Sequence, residues 1–346
     1  MSLSNIKNIS IIGGGISAVL LCNEAAKKGI TTTLLDPDIG CLGANIATEH
    51  MIGTLTEENL EKLAFRSDAI IFNSTSNNII NEKLKCNLYP KVQVINKLNN
   101  RYQLLQMAQS LKIPVPAFYY QENKSLFMKE LKEISVPFRF YQLFEDRIEK
   151  IDVLTEADLS NFIFEVDEKA DAWLIEEINT YDKIVIHIVL VDSNNKVVSY
   201  SSFEKTFSKG ALSTLCTPAT VSKTMLQKLN TYTNKIAKNL EGPGVFSIQY
   251  GIKKNRSAEL RNIVPKIDIT GILTQTSYNL SVYEQTLNML LGYPLVSPKQ
   301  SSSANGYVFS ENKKGHLPAE PKGAYHIYSA RYNRIYIEQS VDENNQ

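Results

Sequence analysis

The sequence predicts a mixed architecture: a doubly wound α/β domain first, two α+β lobes after it, and a small β-rich tail. Three observations lead there. Short β-branched runs alternate with helical spacing through roughly the first hundred residues. Prolines at 114 and 116 break that alternation. From Trp173 onward long strand signals dominate. The expected divisions are 1–98, 99–172, 173–296 and 297–346.

Asn8 to Ile12 (NISII) is a buried strand by composition. A glycine cluster comes next, and Ile16 to Lys28 has helical apolar spacing stopped by Gly29. Thr31 to Leu35 gives a second strand ending at Asp36, and Thr56 with the acidic run behind it opens another helix. Asp68 to Phe72 and Val92 to Ile95 are expected as the third and fourth strands of a parallel sheet with helices on both faces.

In the next lobe, Lys124 to Ile134 and Thr155 to Phe164 are expected helices beside short strands. Thr155 caps the second, with Asp158 three residues on. Strands are then expected over Ala172–Ile178, Ile184–Val191, Lys196–Phe203, Gly244–Tyr250 and Glu259–Val264. Helices Val221–Leu240 and Val282–Leu291 would cover one side of that antiparallel sheet. Ser297 to Gly306 is a polar linker. Strand signals return at Gly306–Phe309, Ala324–Tyr328 and Arg334–Ile337, and Asp342–Gln346 should fray.

Composition narrows the function classes. Hydrophobic residues make up 43% and charged residues 21%, which suits a packed globular chain and argues against disorder. Thirty-seven basic and 36 acidic side chains nearly cancel. No overall field draws nucleic acid or an acidic membrane, so neither is expected as a partner. The four cysteines (Cys22, Cys41, Cys86, Cys216) form no CxxC pair, and the four histidines (His50, His187, His316, His326) are equally scattered. No metal site and no disulfide frame are expected. Without a signal peptide or an apolar run long enough to span a bilayer, a cytoplasmic protein is expected.

Gly13-Gly14-Gly15-Ile16-Ser17-Ala18 satisfies G-x-G-x-x-G/A between a strand and a helix, and Asp36 closes the next strand about 20 residues on. Glycines let a backbone approach a phosphate, and the helix start supplies oriented N–H groups. On this motif alone three readings stay open: a dinucleotide site for NAD or FAD, a substrate-phosphate turn, or glycines that only permit a tight turn.

The residues after Asp36 favour a different family. Asp36-Pro37-Asp38, Cys41 and Ala47-Thr48-Glu49-His50 match the order DPD, cysteine, A-D-E-H. Asn100-Arg101, Ile113-Pro114-Val115-Pro116, Leu174-Ile175-Glu176-Glu177, Gly242 to Phe246, Ile263-Val264-Pro265 and Leu290 to Leu295 come later. In this order the chain, over roughly residues 5 to 296, resembles the 5-(carboxyamino)imidazole ribonucleotide synthetases of purine biosynthesis. These belong to the ATP-grasp superfamily and are known as the ATPase subunit of phosphoribosylaminoimidazole carboxylase. The resemblance implies a Rossmann-like N-terminal domain, an ATP-grasp fold, ATP and magnesium as cofactors, a small nucleotide ligand and a possible homodimer.

It also marks departures. Where the family holds magnesium with two carboxylates, this chain has Gln249 and Asn262, and Lys266 replaces an arginine. Amide oxygens carry no net charge and hold a hard divalent ion weakly. One family lysine becomes Leu105, a second falls near Tyr141, and the glycine flap becomes the glycine-free stretch Gln142 to Lys150. Glutamate, serine and arginine become Ile184, Ile186 and Val191. The substrate motif Y-E-F-E-N becomes Asn73 to Asn77, and the closing R-K-M-G-H has no counterpart between Ala330 and Ile337.

Arg101, Glu176 and Glu177 remain as expected nucleotide contacts, with Gly13, Gly14, Gly15 and Asp36 as the substrate-phosphate turn. The bland readings are a surface charge at a helix start for Arg101, a solvated strand end for the two glutamates, and polar remnants of a disused pocket for Gln249 and Asn262. His187 is expected to be an ordinary strand residue. The functional expectation is an ATP-grasp protein whose carboxylation of aminoimidazole ribonucleotide by bicarbonate is weak or lost. Alternatives are a non-catalytic nucleotide- or partner-binding relative, a ligase with another substrate and, more distantly, an NAD- or FAD-binding oxidoreductase.

Overall fold

The computed structural model describes residues 5–74, 79–83, 86–131, 133–162, 166–208, 210–310, 324–330 and 333–340. The expectations for Thr75–Asn77 and for the fraying end Asp342–Gln346 lie outside them.

The first elements are β1 (Asn8–Ile12), α1 (Ile16–Lys27), β2 (Thr31–Asp36), β3 (Glu49–Ile52), α2 (Glu57–Arg66), β4 (Ala69–Phe72), β5 (Leu88–Tyr89) and α3 (Val92–Asn99). The strands form a parallel sheet in the order β3-β2-β1-β4-β5. Side chains alternate across the pleat. Ile9, Ile11 and Leu34 therefore meet α1 on one face, while Ile12, Leu35 and Phe72 meet Leu60 and Leu63 of α2 and Ile95 of α3 on the other. Gly29, at φ +70°, ends α1 by turning left-handed, and its N–H donates to the Ala26 carbonyl. Thr56 caps α2 through the Asn59 N–H at 3.3 Å.

One expected strand is wrong. Val92–Ile95 is the start of α3, not a strand, and the fifth strand is the two-residue β5 just before it. Val92, Ile95 and Leu98 bury one face at helical spacing. Four residues rich in valine and isoleucine are too short a window to separate the two periods.

The next elements are α4 (Arg101–Ser110), β6 (Phe118–Gln121), α5 (Lys124–Leu131), β7 (Phe138–Leu143), β8 (Ile148–Val153), α6 (Glu156–Phe162) and β9 (Ala172–Glu177). The strands form an antiparallel sheet, β6-β9-β7-β8. The expected capping box is present: the Asp158 N–H donates to Thr155 Oγ1 at 3.2 Å, and the Thr155 N–H donates to the Asp158 carboxylate at 2.9 Å.

The largest unit contains β10 (Lys183–Val191), β11 (Val197–Ser208), β12 (Ala211–Thr217), α7 (Lys223–Ala237), β13 (Gly244–Ile252), β14 (Ala258–Val264), α8 (Thr274–Ser277), α9 (Val282–Leu290), β15 (Ser303–Ser310), β16 (Ala324–Ala330) and β17 (Asn333–Ser340). Its eight strands run β14-β13-β10-β11-β12-β15-β17-β16, every adjacent pair antiparallel. The tail is thus an extension of this sheet, joined through β12 and β15, and β15 begins inside the stretch expected to be linker.

A second correction concerns the helices. They were expected on one side, but α7 packs against Val185, Val189 and Phe246, while α9 packs against Ile186, Ile188 and Leu190 on the opposite face. The reason is that β10 is buried at nearly every position, so both of its faces need cover. Helix α9 also contacts α1, which joins the parallel sheet to the large one through a single apolar cluster.

Candidate functional site

Helix α4 sets the geometry. Asn100 caps it, accepting the Gln103 N–H at 3.1 Å. Leu104 and Ala108 face the cluster under α7, while Leu105 faces Leu143 and Leu174 of the four-stranded sheet. The Leu260 N–H donates to the Pro114 carbonyl at 2.7 Å and ties the segment after α4 to β14. Between the four-stranded sheet and β14 lies a cleft of about 400 Å³. Four cationic residues line it (Arg101, Arg139, Lys150, Arg261) against two acidic ones (Glu176, Glu177), an excess of two positive charges. Leu98, Ile148, Ile178, Val264 and Pro265 supply apolar wall.

Arg101 and Glu176 come together, but mainly with each other. The guanidinium donates through Nε to Glu176 Oε2 at 2.8 Å and through Nη2 to Oε1, and the Tyr141 hydroxyl adds a bond to Oε2 at 3.1 Å. Arg101 is 8% exposed and Glu176 4%. Neither bland reading fits these two, since Arg101 is no surface charge and Glu176 no solvated strand end. Burial opposes the Arg101 charge, yet Glu176 outweighs it and holds the guanidinium above its ordinary pKa. Burial first, then Glu176, push the Tyr141 phenol up. Glu177, one residue on, is exposed at the cleft and accepts from Asn179 at 3.3 Å.

Gln249 is 6% exposed, and both ends of its amide are engaged. Nε2 donates to Asp268 Oδ2 at 3.0 Å, and Oε1 accepts from Arg261 Nη1 at 3.0 Å. Asn262 lines the cleft, and its Oδ1 accepts from the Ile263 N–H at 3.0 Å. Lys266 stands apart, on a small crevice with Asn73, Tyr89 and Pro90. Burial lowers its pKa, Asp268 draws it up, and Lys205 pushes it down again.

Asp268 itself was not anticipated. It is 5% exposed, caps the 3-10 turn Ile269–Leu273 through the Thr270 N–H at 3.1 Å, and takes a bond from Lys205 Nζ at 2.6 Å. Burial opposes its charge, but Lys205 and Thr270 outweigh that and hold it below the usual carboxylate range. These contacts leave Gln249 and Asn262 a poor seat for magnesium: each amide oxygen already accepts a bond, a guanidinium sits beside one, and the carboxylate bonded to Gln249 is neutralised by a lysine. Among the described residues no group of three His, Cys, Asp or Glu could hold a metal ion.

The phosphate-anchor positions are likewise filled by packing. Leu105 is fully buried, and Ile184, Ile186 and Val191 are buried strand residues. In place of a glycine flap, β7 and β8 make a tight hairpin closed by the Phe144 N–H donating to the Arg147 carbonyl at 2.9 Å, with the Arg147 guanidinium 3.8 Å over the Phe144 ring. Arg139 on β7 is held bidentately by Asp152, at 2.5 and 2.8 Å. Sequence reasoning passed over Arg139, Lys150 and Arg261. Had β7 been read as a strand, period-2 alternation would have put Arg139 and Tyr141 on one face.

The glycine turn is not a wall of this cleft. The Asp36 carboxylate reaches back into it and accepts the Gly14 N–H at 2.7 Å and the Asp38 N–H at 2.9 Å. Gly13 sits at φ +98°, where a Cβ would stand 2.6 Å from the Asn73 carbonyl oxygen, and a Cβ on Gly14 would stand 2.4 Å from Cys41 Sγ. A Cβ on Gly15 would meet nothing within 4 Å. His187 is fully buried and bonds Thr233 Oγ1 at 2.8 Å, which suits a packed strand residue. Among the described residues no helix is long and apolar enough to cross a membrane.

Comparison with known proteins agrees with this architecture. The chloroplastic phosphoribosylaminoimidazole carboxylase of Vigna aconitifolia is 23% identical over 302 residues, covering 86% of this chain and 54% of that protein. The chain thus spans about half the length of that relative. The N5-carboxyaminoimidazole ribonucleotide synthase of Brucella melitensis is 23% identical over 319 residues, covering 85% of this chain and 83% of that one. Among solved structures, N5-carboxyaminoimidazole synthetase from Staphylococcus aureus complexed with ADP superposes with a TM-score of 0.77 at 21% identity, over 98% of this chain and 94% of that one. At these identities the likeness establishes the fold. The ATP-grasp domain family model matches residues 106–283, more than half of the chain, and with the antiparallel sheets flanking the cleft it places the chain in the ATP-grasp family.

Proposed function

We propose that the chain binds a nucleotide in the cleft between the four-stranded sheet and β14, and that ATP-driven carboxylation of aminoimidazole ribonucleotide is weak or absent. One observation carries this. The cleft keeps the size and positive lining that suit a phosphorylated ligand, while the positions that would hold metal and phosphate are engaged elsewhere. ATP fits the lining in kind: Glu177 and Asn179 offer polar atoms to a ribose, the apolar wall suits a base, and Arg139, Lys150 and Arg261 face the phosphates. Magnesium does not fit Gln249 and Asn262, whose amide oxygens are already engaged.

Phosphoryl transfer depends on charge placed around the moving group. With Leu105 and Tyr141 in the core and a closed hairpin for the flap, two cationic anchors and a backbone cradle are missing from their expected places. The four free cysteines support a reducing, cytoplasmic setting. The dinucleotide alternative loses support because the Gly14 N–H already has Asp36 as its partner.

Thermal denaturation separates the readings. ATP or ADP at millimolar concentration is expected to raise the melting temperature by a few degrees, and NAD, NADP and FAD to leave it unchanged. No shift with either adenine nucleotide, or a shift with a dinucleotide, would reverse the assignment.

A further inference from the structure

The replacement of carboxylates by amides has a positive counterpart. Strands β13 and β14 pair Tyr250 with Leu260 and Gln249 with Asn262, so Arg261 is an extra residue in β14 without a partner across the ladder. Such a bulge re-aims a side chain and is frequent beside functional sites. Here it falls where β14 begins to line the cleft, with Arg261 at the bulge and Asn262 next to it.

The Arg261 guanidinium is positioned from behind. Gln249 accepts from Nη1, and the Gln249 amide is itself held by Asp268, which Lys205 and Thr270 hold in turn. Three layers of hydrogen bonds therefore fix one cation at the cleft wall. Among the described residues no carboxylate lies within ion-pair distance of it, whereas Arg101 has Glu176 and Arg139 has Asp152. Burial pushes its pKa below the ordinary arginine value, and the neighbouring Arg139 and Arg101 add to this against upward pulls from Tyr181 and Asp268. A glutamine is well suited to hold such an arginine: it offers an oxygen without quenching the charge.

Resting on the nucleotide reading above, we infer that Arg261, braced by Gln249, is the fixed cation of the cleft and replaces a divalent metal as the counter-charge for a nucleoside di- or triphosphate. Binding is then independent of magnesium. A guanidinium presents a planar fork that matches a phosphate bidentately and needs no dehydration of a metal. It cannot bridge several phosphates as metal ions do, which is in keeping with the weak transfer proposed above.

Calorimetry of the full chain tests this, with ADP and, separately, inorganic pyrophosphate as probes, each in EDTA and in millimolar magnesium. ADP affinity is expected to agree within about threefold between the two buffers. Arg261→Gln should weaken it at least tenfold, and Arg261→Lys, which keeps the charge and loses the fork, should restore part of the loss. Unchanged melting temperatures would show that both variants fold. ADP binding seen only with magnesium, or unaffected by Arg261→Gln, would overturn the inference and leave the nucleotide reading standing. Pyrophosphate bound in EDTA and lost in Arg261→Gln, with ADP unbound, would uphold the metal-free anion site and overturn the nucleotide reading. Silence from both probes in both buffers would overturn both.

Discussion

At the residue scale, two buried ionisable groups mark where stability depends on charge. His187 is fully buried with one ring nitrogen on Thr233 and the other without a partner, and burial pushes its pKa down to about 4. The unfolded chain takes up that proton near pH 6.5 and the folded chain only near 4. The contribution is complete above about pH 6.5 and declines as pH falls towards 4. By pH 4.5 the loss should be roughly 2–3 kcal/mol, read as the difference between urea titrations at pH 7 and pH 4.5. A His187→Gln variant should flatten that difference; an undiminished one would assign the pH response to other groups. Asp268 behaves as a buried anion that Lys205 needs. Asp268→Asn should cost about 3–5 kcal/mol at neutral pH by the same method, because it leaves the lysine buried and uncompensated. A cost under about 1 kcal/mol would mean that the pair is better hydrated than its burial implies. The sequence disclosed only part of this chemistry. Gln249 and Asn262 stood out as amides where carboxylates were expected, and Arg101 with Glu176 as surviving charges. Which residues bond to Gln249 depends on a bulge and on a partner nineteen residues away, and neither leaves a local pattern.

At the element scale, the turn between β1 and α1 shows how backbone and packing divide the glycines. Gly13 needs its positive φ and has no room for a methyl group, while Gly15 has an ordinary negative φ and open space around it. Gly13→Ala should therefore destabilise by at least about 2 kcal/mol, from strain and from contact with the Asn73 carbonyl, and Gly15→Ala by less than about 1. Thermal melts of the two variants check this, and equal effects would refute the distinction. Most elements were legible because capping and period agreed: Thr56, Thr155 and Asp158 fix helix starts where the apolar spacing begins. The failures share a cause. Val92–Ile95 is β-branched over too few residues, so propensity pointed to a strand and tertiary packing chose a helix. β12, which no sequence pattern announced, is a half-buried run in which Leu212 and Leu215 stand among small and polar residues, held chiefly by its neighbours in the sheet.

At the scale of the whole molecule, three sheets meet so that one apolar cluster runs from α1 through α9 into the large sheet, and the cleft opens beside α4 where the two antiparallel sheets face each other. This layout was readable in outline from the order of strand and helix signals. That helices cover both faces of the large sheet was missed, although the near-continuous apolar run of β10 is the pattern of a strand buried on both faces. The proposal at this scale is a cleft that retains an anionic ligand without driving phosphoryl transfer. Its most direct test is steady-state phosphate release from ATP with magnesium, bicarbonate and aminoimidazole ribonucleotide, run beside the Staphylococcus aureus synthetase. Groups that act as a unit each contribute on the order of a hundredfold or more, so a rate at least about a thousandfold below that enzyme is expected. A rate within about tenfold of it would contradict the account, because a cleft with Gln249, Asn262 and Leu105 in those places would then be carrying out full phosphoryl transfer.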